Sequence, residues 1–206
     1  MHSVFVPPRP ALEELVGVAR SVATPEPVAA AAKRGVFRRR EAAPQPTPPA
    51  LEIFPMATMQ IPITGFGNVT PSDATRLIAA LGAAAGEWTA PRVRFTSVVE
   101  PGSSNDRTVS IRLQGDVEGL TEVGRGVPPC VERVGFFVDR RTFHPMVTIA
   151  RLTDTATGDD WNRVVAAFES FHGREWVADS IVLTKMIFDG PHTESQEFER
   201  IPIGAE

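Results

Sequence analysis

Two short stretches of this chain repeat one pattern about eighty positions apart, and the repetition constrains the fold more than any other feature. The first is Thr58-Met59-Gln60-Ile61-Pro62-Ile63-Thr64-Gly65-Phe66-Gly67, and the second is Thr142-Phe143-His144-Pro145-Met146-Val147-Thr148-Ile149-Ala150-Arg151. Each reads as a polar-edged strand. Strand side chains return to the same face every second residue. Gln60, Pro62 and Thr64 therefore share one face, and His144, Met146 and Thr148 share another.

The rest of the chain supplies alternating strands and helices around these two. Residues 2–6 predict a short first strand, and Leu12, Leu15, Val16, Ala19 and Val22 fall at helical spacing on one face. Residues 56–66 predict the first repeated strand. Thr70-Pro71-Ser72-Asp73 is a helix start, with a Thr cap, Pro at the first helical position and Asp near the positive helix end. Leu77, Ile78, Leu81 and Ala85 form its apolar stripe, and Gly86 ends it. Residues 92–99 and 108–113 predict strands on either side of a turn-rich loop at 101–106. A short helix from Asp116 is expected, weakened by Gly119, Gly124 and Gly126 and stopped by Pro128-Pro129. The apolar run 134–138 fits either type. A helix beginning at Asp159 or Asp160 would bury Trp161, Val164, Val165 and Phe168. Residues 176–188 are the longest strand candidate. Gly190-Pro191 turns it into a final strand, 196–203, placed at a sheet edge by Pro202. Several strand pairs are joined by links too short for crossovers. The expected class is α+β, with antiparallel or mixed sheets flanked by helices.

Length and charge narrow the setting. The 206 residues are enough for one domain with a real core, and 42% hydrophobic and 22% charged residues fit a globular chain. Residues 24–55 stand apart as a Pro-rich loop with a basic cluster at Lys33, Arg34, Arg38, Arg39 and Arg40. One short helix is expected around its Ala-Lys-Arg piece, and an extended segment over 42–50. A net charge of -4 gives no global argument for nucleic-acid binding. No apolar run approaches a membrane span, and the first residues lack the basic start and apolar core of a signal peptide. Cys130 is the single cysteine, so no intrachain disulfide forms; a reducing, cytoplasmic setting and a buried or half-buried thiol are expected. No metal-ligand spacing, phosphate-binding glycine loop or Ser-His-Asp arrangement is present.

The order of parts resembles the 2H phosphoesterase superfamily, and within it the 2'-5' RNA ligase or RNA 2',3'-cyclic phosphodiesterase group. The residues carrying the likeness are 143–151, similar to a family pattern Phe-x-Pro-His-x-Thr-Leu-Ala-Arg, and 171–183, similar to its C-terminal strand. The resemblance implies two lobes, each presenting a His-x-Thr motif to a shared cleft. One histidine would act as general base and the other as general acid on a 2',3'-cyclic phosphate, with the hydroxyls on the phosphate oxygens. It implies neither metal nor organic cofactor.

Position by position, the first motif falls on Gln60 and Pro62, and the second on Met146 and Thr148. Glutamine transfers no protons near neutrality, proline has neither hydroxyl nor N–H, and methionine is apolar. The leading expectation is a catalytically impaired relative that binds an RNA end or a nucleotide 2',3'-cyclic phosphate through Gln60, Thr64, Thr148 and Arg151. Arg151 reads equally as a phosphate clamp or a surface ion pair. A second expectation is an active enzyme with His144 displaced one pleat, about 6–7 Å, from the motif position. A third is an interaction module whose cleft Met146 and Pro62 fill and whose loop at 33–49 contacts a protein partner; on any of these readings a monomer is expected. Phe66 and Phe143 are expected in the core, and His172 and His192 on surface loops.

Overall fold

The computed structural model describes residues 1–23, 49–102, 106–139, 141–189 and 192–204, with backbone alone for 188–189 and 192–194. The basic cluster, the short helix and most of the extended segment expected within 24–55 lie outside the described residues.

Among the described residues, nine strands form two sheets, and every pairing in them is antiparallel. The strands are β1 (His2–Phe5), β2 (Leu51–Ile53), β3 (Ile61–Gly65), β4 (Arg92–Pro101), β5 (Thr108–Gly115), β6 (Met146–Leu152), β7 (Trp176–Val177), β8 (Ser180–Asp189) and β9 (His192–Pro202). One sheet has the order β3-β1-β8-β9 and the other β2-β6-β5-β4-β7. The helices described with them are α1 (Arg9–Ala23), α2 (Pro71–Ala85), α3 (Val117–Glu132) and α4 (Gly158–Phe168). Helices α2 and α3 pack on the first sheet, against β9 and β3; α1 and α4 pack on the second, both against β4. The class is α+β with two lobes, as expected.

The helices form for readable reasons. In α1, Leu12, Leu15, Val16 and Ala19 are buried on one stripe. The Thr70 hydroxyl accepts from the Asp73 N–H at the start of α2. A reciprocal box starts α4: the Thr157 hydroxyl accepts from Asp160 N–H, and the Asp160 carboxylate accepts from Thr157 N–H at 2.7 Å.

Several expectations change. Helix α3 runs 16 residues, straight through Pro128 and Pro129. Its buried stripe of Leu120, Val123, Val127 and Val131 spans the prolines, and that burial offsets their two missing N–H donors. Its glycines are contact points. A Cβ at Gly124 would lie 2.8 Å from the Phe143 ring, and one at Gly126 would lie 2.6 Å from the Trp88 ring. Residues 51–53, read as loop, are β2, recruited by pairing with β6. Residues 56–66 divide into a single 3-10 turn, Met56–Thr58, and β3. The long C-terminal strand divides into β7 and β8. Val165 is 40% exposed, whereas Val164 and Phe168 are buried. His192 opens β9, and His172 is exposed between α4 and β7.

Side chains of both sheets join one hydrophobic cluster. Phe5 of β1 and Phe143, just before β6, meet edge to face with centroids 6.0 Å apart. That contact ties the lobes together next to the cleft. Phe66 and Phe143 are both buried, as expected. No helix among the described residues is long and apolar enough to cross a membrane.

Candidate functional site

A cleft of about 640 Å³ opens between the two sheets. This lies within the range of about 300–1,000 Å³ usual for small-molecule sites. Strands β1, β3, β8 and β9 supply one wall, and β6 with the segment leading into it supplies the other.

The second wall carries His144, Met146 and Thr148, all lining the cleft as their shared parity requires. His144 and Pro145 precede the strand, which begins at Met146. The Met146 N–H donates to the His144 carbonyl at 2.8 Å, and the Pro145 carbonyl accepts from Leu113 N–H at 3.0 Å. His144 therefore sits on an extended lead-in, exposed to solvent. Behind Thr148 is Ser110 of β5, 5% exposed, with the two hydroxyl oxygens 3.0 Å apart. When Ser110 donates, the Thr148 hydrogen is free to point at a ligand in the cleft.

The first wall carries Gln60, Pro62 and Thr64. Gln60 stands just before β3, and its amide N donates to the Ala57 carbonyl at 3.2 Å and the Ser195 hydroxyl of β9 at 3.4 Å. Its side-chain carbonyl remains available as an acceptor. Pro62 costs no ladder hydrogen bond in the interior of a sheet, because β3 is an edge strand. Thr64 is 4% exposed and its hydroxyl donates to the Asp139 carbonyl at 2.8 Å. That donor is committed, so Thr64 offers a phosphate little beyond shape. Among the described residues, Met146 and Pro62 line the cleft without closing it.

Arg151 does not line the cleft. It lies cross-strand from Glu52, and its guanidinium donates to the Glu52 carboxylate at 2.7 Å with both side chains about half exposed. That hydrogen bond and the adjacent charge hold the Arg151 pKa above its usual value. Of the five residues expected at the site, the structure thus brings four together and sets the fifth apart.

The structure also places residues there that sequence reading missed. His2 of β1 lines the cleft, its ring against Gly65, where an added Cβ would come within 3.1 Å of Nδ1. Partial burial lowers the His2 pKa, aided by the amino-terminal charge and Arg141 and opposed by Asp139. Arg141 and Asp139 line the same cleft and pair at 2.5 Å. Thr184 of β8 stands opposite His2 in the sheet register and is 2% exposed. The only sequence signal for His2 was the brief alternation at 2–6. That β1 would become an inner strand, between β3 and β8, depends on pairings some sixty and some 180 residues away.

Cys130 is half-buried, and burial raises its thiol pKa. Among the described residues, no group of three or more His, Cys, Asp or Glu side chains could hold a metal ion.

No family model matches the chain, and no curated protein matches it. Solved structures do. A structure described as a phosphoesterase is 14% identical over 98% of this chain and 97% of its own, with a TM-score of 0.62. E. coli LigT complexed with 3'-AMP is 15% identical over 98% and 96%, with a TM-score of 0.61. TT0787 of Thermus thermophilus is 15% identical over 100% and 98%, with a TM-score of 0.60. At such identities the likeness is one of fold, and it extends over nearly the whole of each chain. The two-lobed fold implied by the 2H phosphoesterase resemblance is the fold of this chain.

Proposed function

We propose that this chain is a LigT-like 2H phosphoesterase relative whose cleft binds the phosphate end of a nucleotide or RNA and has lost the proton-transfer pair of its motifs. One observation carries the reading. The cleft is open at about 640 Å³, and Gln60, Pro62 and Met146 line it where the resemblance calls for His, Thr and His. Thr148 keeps its hydroxyl on the opposite wall, backed by Ser110. The 3'-AMP complexed with LigT, a structure of the same fold, supports a nucleotide as the ligand class. In this reading Thr148 donates to a phosphate oxygen and the Gln60 carbonyl accepts from a sugar hydroxyl. Arg141, paired with Asp139 at the rim, would have to exchange that carboxylate for the phosphate.

The test uses the four nucleoside 2',3'-cyclic monophosphates and a short RNA ending in a cyclic phosphate, with binding and turnover both followed by NMR. Binding without turnover, weakened by Thr148→Ala, is the expected result. Turnover above that of the Thr148→Ala variant overturns the loss of chemistry. Absence of binding overturns the whole reading and redirects the search to protein partners.

A second reading is favoured by a specific observation: two histidines, His2 and His144, line this one cleft from opposite walls. An enzyme using them would show a pH-rate curve with a limb near neutrality. His144→Ala would flatten one limb and His2→Ala the other.

A further inference from the structure

On the first wall of the cleft, one side chain has its polarity fixed. The Gln60 amide nitrogen donates to the Ala57 carbonyl at 3.2 Å and to the Ser195 hydroxyl oxygen at 3.4 Å. A carbonyl oxygen only accepts, so the end of the amide that faces Ala57 is the nitrogen. Both amide hydrogens are then used within the protein. What Gln60 has left is its side-chain carbonyl oxygen, which has no partner among the described residues. An imidazole presents a donor or an acceptor according to its tautomer and charge, whereas this amide presents an acceptor alone.

The second wall has the opposite character. Thr148 donates into the cleft when Ser110 donates to it. Arg141 and Asp139, which also line the cleft, pair with one another and together add no net charge. Hydrogen-bond polarity therefore sorts ligands here. A phosphate oxygen is repelled by an acceptor, and a hydroxyl is held by it. In a 2',3'-cyclic phosphate both sugar oxygens are esterified, and neither carries a hydrogen. Hydrolysis opens that ring: the water oxygen bonds to phosphorus, one P–O bond to the sugar breaks, and the released sugar oxygen takes the proton. Only the opened form offers a donor next to its phosphate.

We propose that Gln60 makes the cleft selective for a ring-opened nucleotide phosphate, one with a free hydroxyl on the carbon next to its phosphate, over the cyclic phosphate. Thr148 takes a phosphate oxygen, and the Gln60 carbonyl takes the neighbouring hydroxyl. The chain then holds the product of the reaction that its resemblance implies, not the substrate. The inference rests on the nucleotide-binding reading above and deepens it to the chemical form of the ligand.

The experiment measures the affinity of the full chain for 3'-AMP, adenosine 2',3'-cyclic phosphate and 2'-deoxyadenosine 3'-phosphate by titration calorimetry or ligand-observed NMR. The first and third have the same charge and differ only in the 2'-hydroxyl, which separates hydrogen bonding from charge. 3'-AMP is expected to bind about tenfold more tightly than either of the others, because without the hydroxyl the Gln60 acceptor is left unpaired. Gln60 is partly exposed, so Gln60→Leu leaves the core intact. That variant should bring 3'-AMP and its deoxy analogue within about twofold of one another. Cyclic phosphate binding as tightly as 3'-AMP overturns the proposal and leaves the cleft reading standing. So does a deoxy analogue that binds as tightly as 3'-AMP, or a preference that survives in Gln60→Leu. Failure of all three nucleotides to bind overturns the cleft reading, and this inference with it.

Discussion

The hydroxyls of Thr148 and Ser110 lie 3.0 Å apart on neighbouring strands, so the one threonine retained from the second motif is held from behind by a buried serine. When Ser110 is the donor of that bond, the Thr148 hydroxyl hydrogen is left for the cleft. Thr148→Ala is expected to weaken nucleotide binding about tenfold, the loss of one hydrogen bond to a charged group. It also strands the Ser110 hydroxyl, at a stability cost of about 1 kcal/mol in denaturant unfolding. Thr148→Ser should preserve affinity and Thr148→Val should not. Equal affinity in Thr148→Val would remove Thr148 from the site.

Phe143 links three parts of the molecule: it meets Phe5 of β1, it presses on Gly124 of α3, and it immediately precedes His144. A Cβ at Gly124 would come within 2.8 Å of its ring. Gly124→Ala should gain helix propensity yet lower stability by about 1–3 kcal/mol, because overpacking forces the ring to move. Moving the ring moves His144 and the second wall, so nucleotide affinity should fall as well. A stabilised Gly124→Ala variant with unchanged binding would show that this contact does not position the cleft.

That glycine illustrates what sequence reading reaches. Elements set by local chemistry were legible: the stripe of α1, the Thr70 cap of α2, the alternation in β4 and β5, and the edge position of β9. Elements set by distant partners were not. Gly124 and Gly126 read as helix weakeners because the Phe143 and Trp88 rings that need the space lie 19 and 38 positions away (143 minus 124, and 126 minus 88). Three residues of β2 carry too little pattern to be seen without β6 beside them. For the site, the face-sharing of His144, Met146 and Thr148 followed from strand parity alone. His2 did not, since nothing near it in the chain says that β1 sits inside a sheet.

Arg151 provides a contrast within the same strand. It lies outside the cleft and is paired with Glu52. Arg151→Ala is therefore expected to leave nucleotide affinity within about twofold, since exposed ion pairs contribute little to anything beyond themselves. A loss of tenfold or more in titration calorimetry would bring the guanidinium back as a phosphate ligand.

The capping box of α4 predicts an acid-sensitive element. The Asp160 carboxylate accepts from the Thr157 N–H and hydroxyl and pairs with Arg163, and these contacts hold its pKa below the usual value. A depressed folded-state pKa means that the contribution to stability is present above the unfolded pKa and is lost as pH falls through the folded one. Melting temperature should therefore fall with acidification below the ordinary aspartate range. Asp160→Asn should flatten that fall, and Thr157→Ala should cost about 1 kcal/mol at neutral pH. An Asp160→Asn variant with an unchanged acid limb would place the sensitivity elsewhere.

Restoring the missing groups tests the functional reading most directly. Gln60 and Met146 line opposite walls of the cleft, where the resemblance calls for histidines. Two imidazoles there would return a general base and a general acid to positions within reach of a phosphate held by Thr148. The double substitution Gln60→His with Met146→His is expected to hydrolyse nucleoside 2',3'-cyclic phosphates measurably above the unaltered chain. Each single substitution should give little, since both roles are needed for one turnover. The double variant's pH-rate curve should be bell-shaped, with both limbs between about pH 5 and 8, where imidazoles titrate. A double variant that binds cyclic nucleotide and stays inert would mean that the walls no longer present these positions to the phosphorus. Pro62, which offers neither hydroxyl nor N–H beside Gln60, would then be the next residue to change, to threonine.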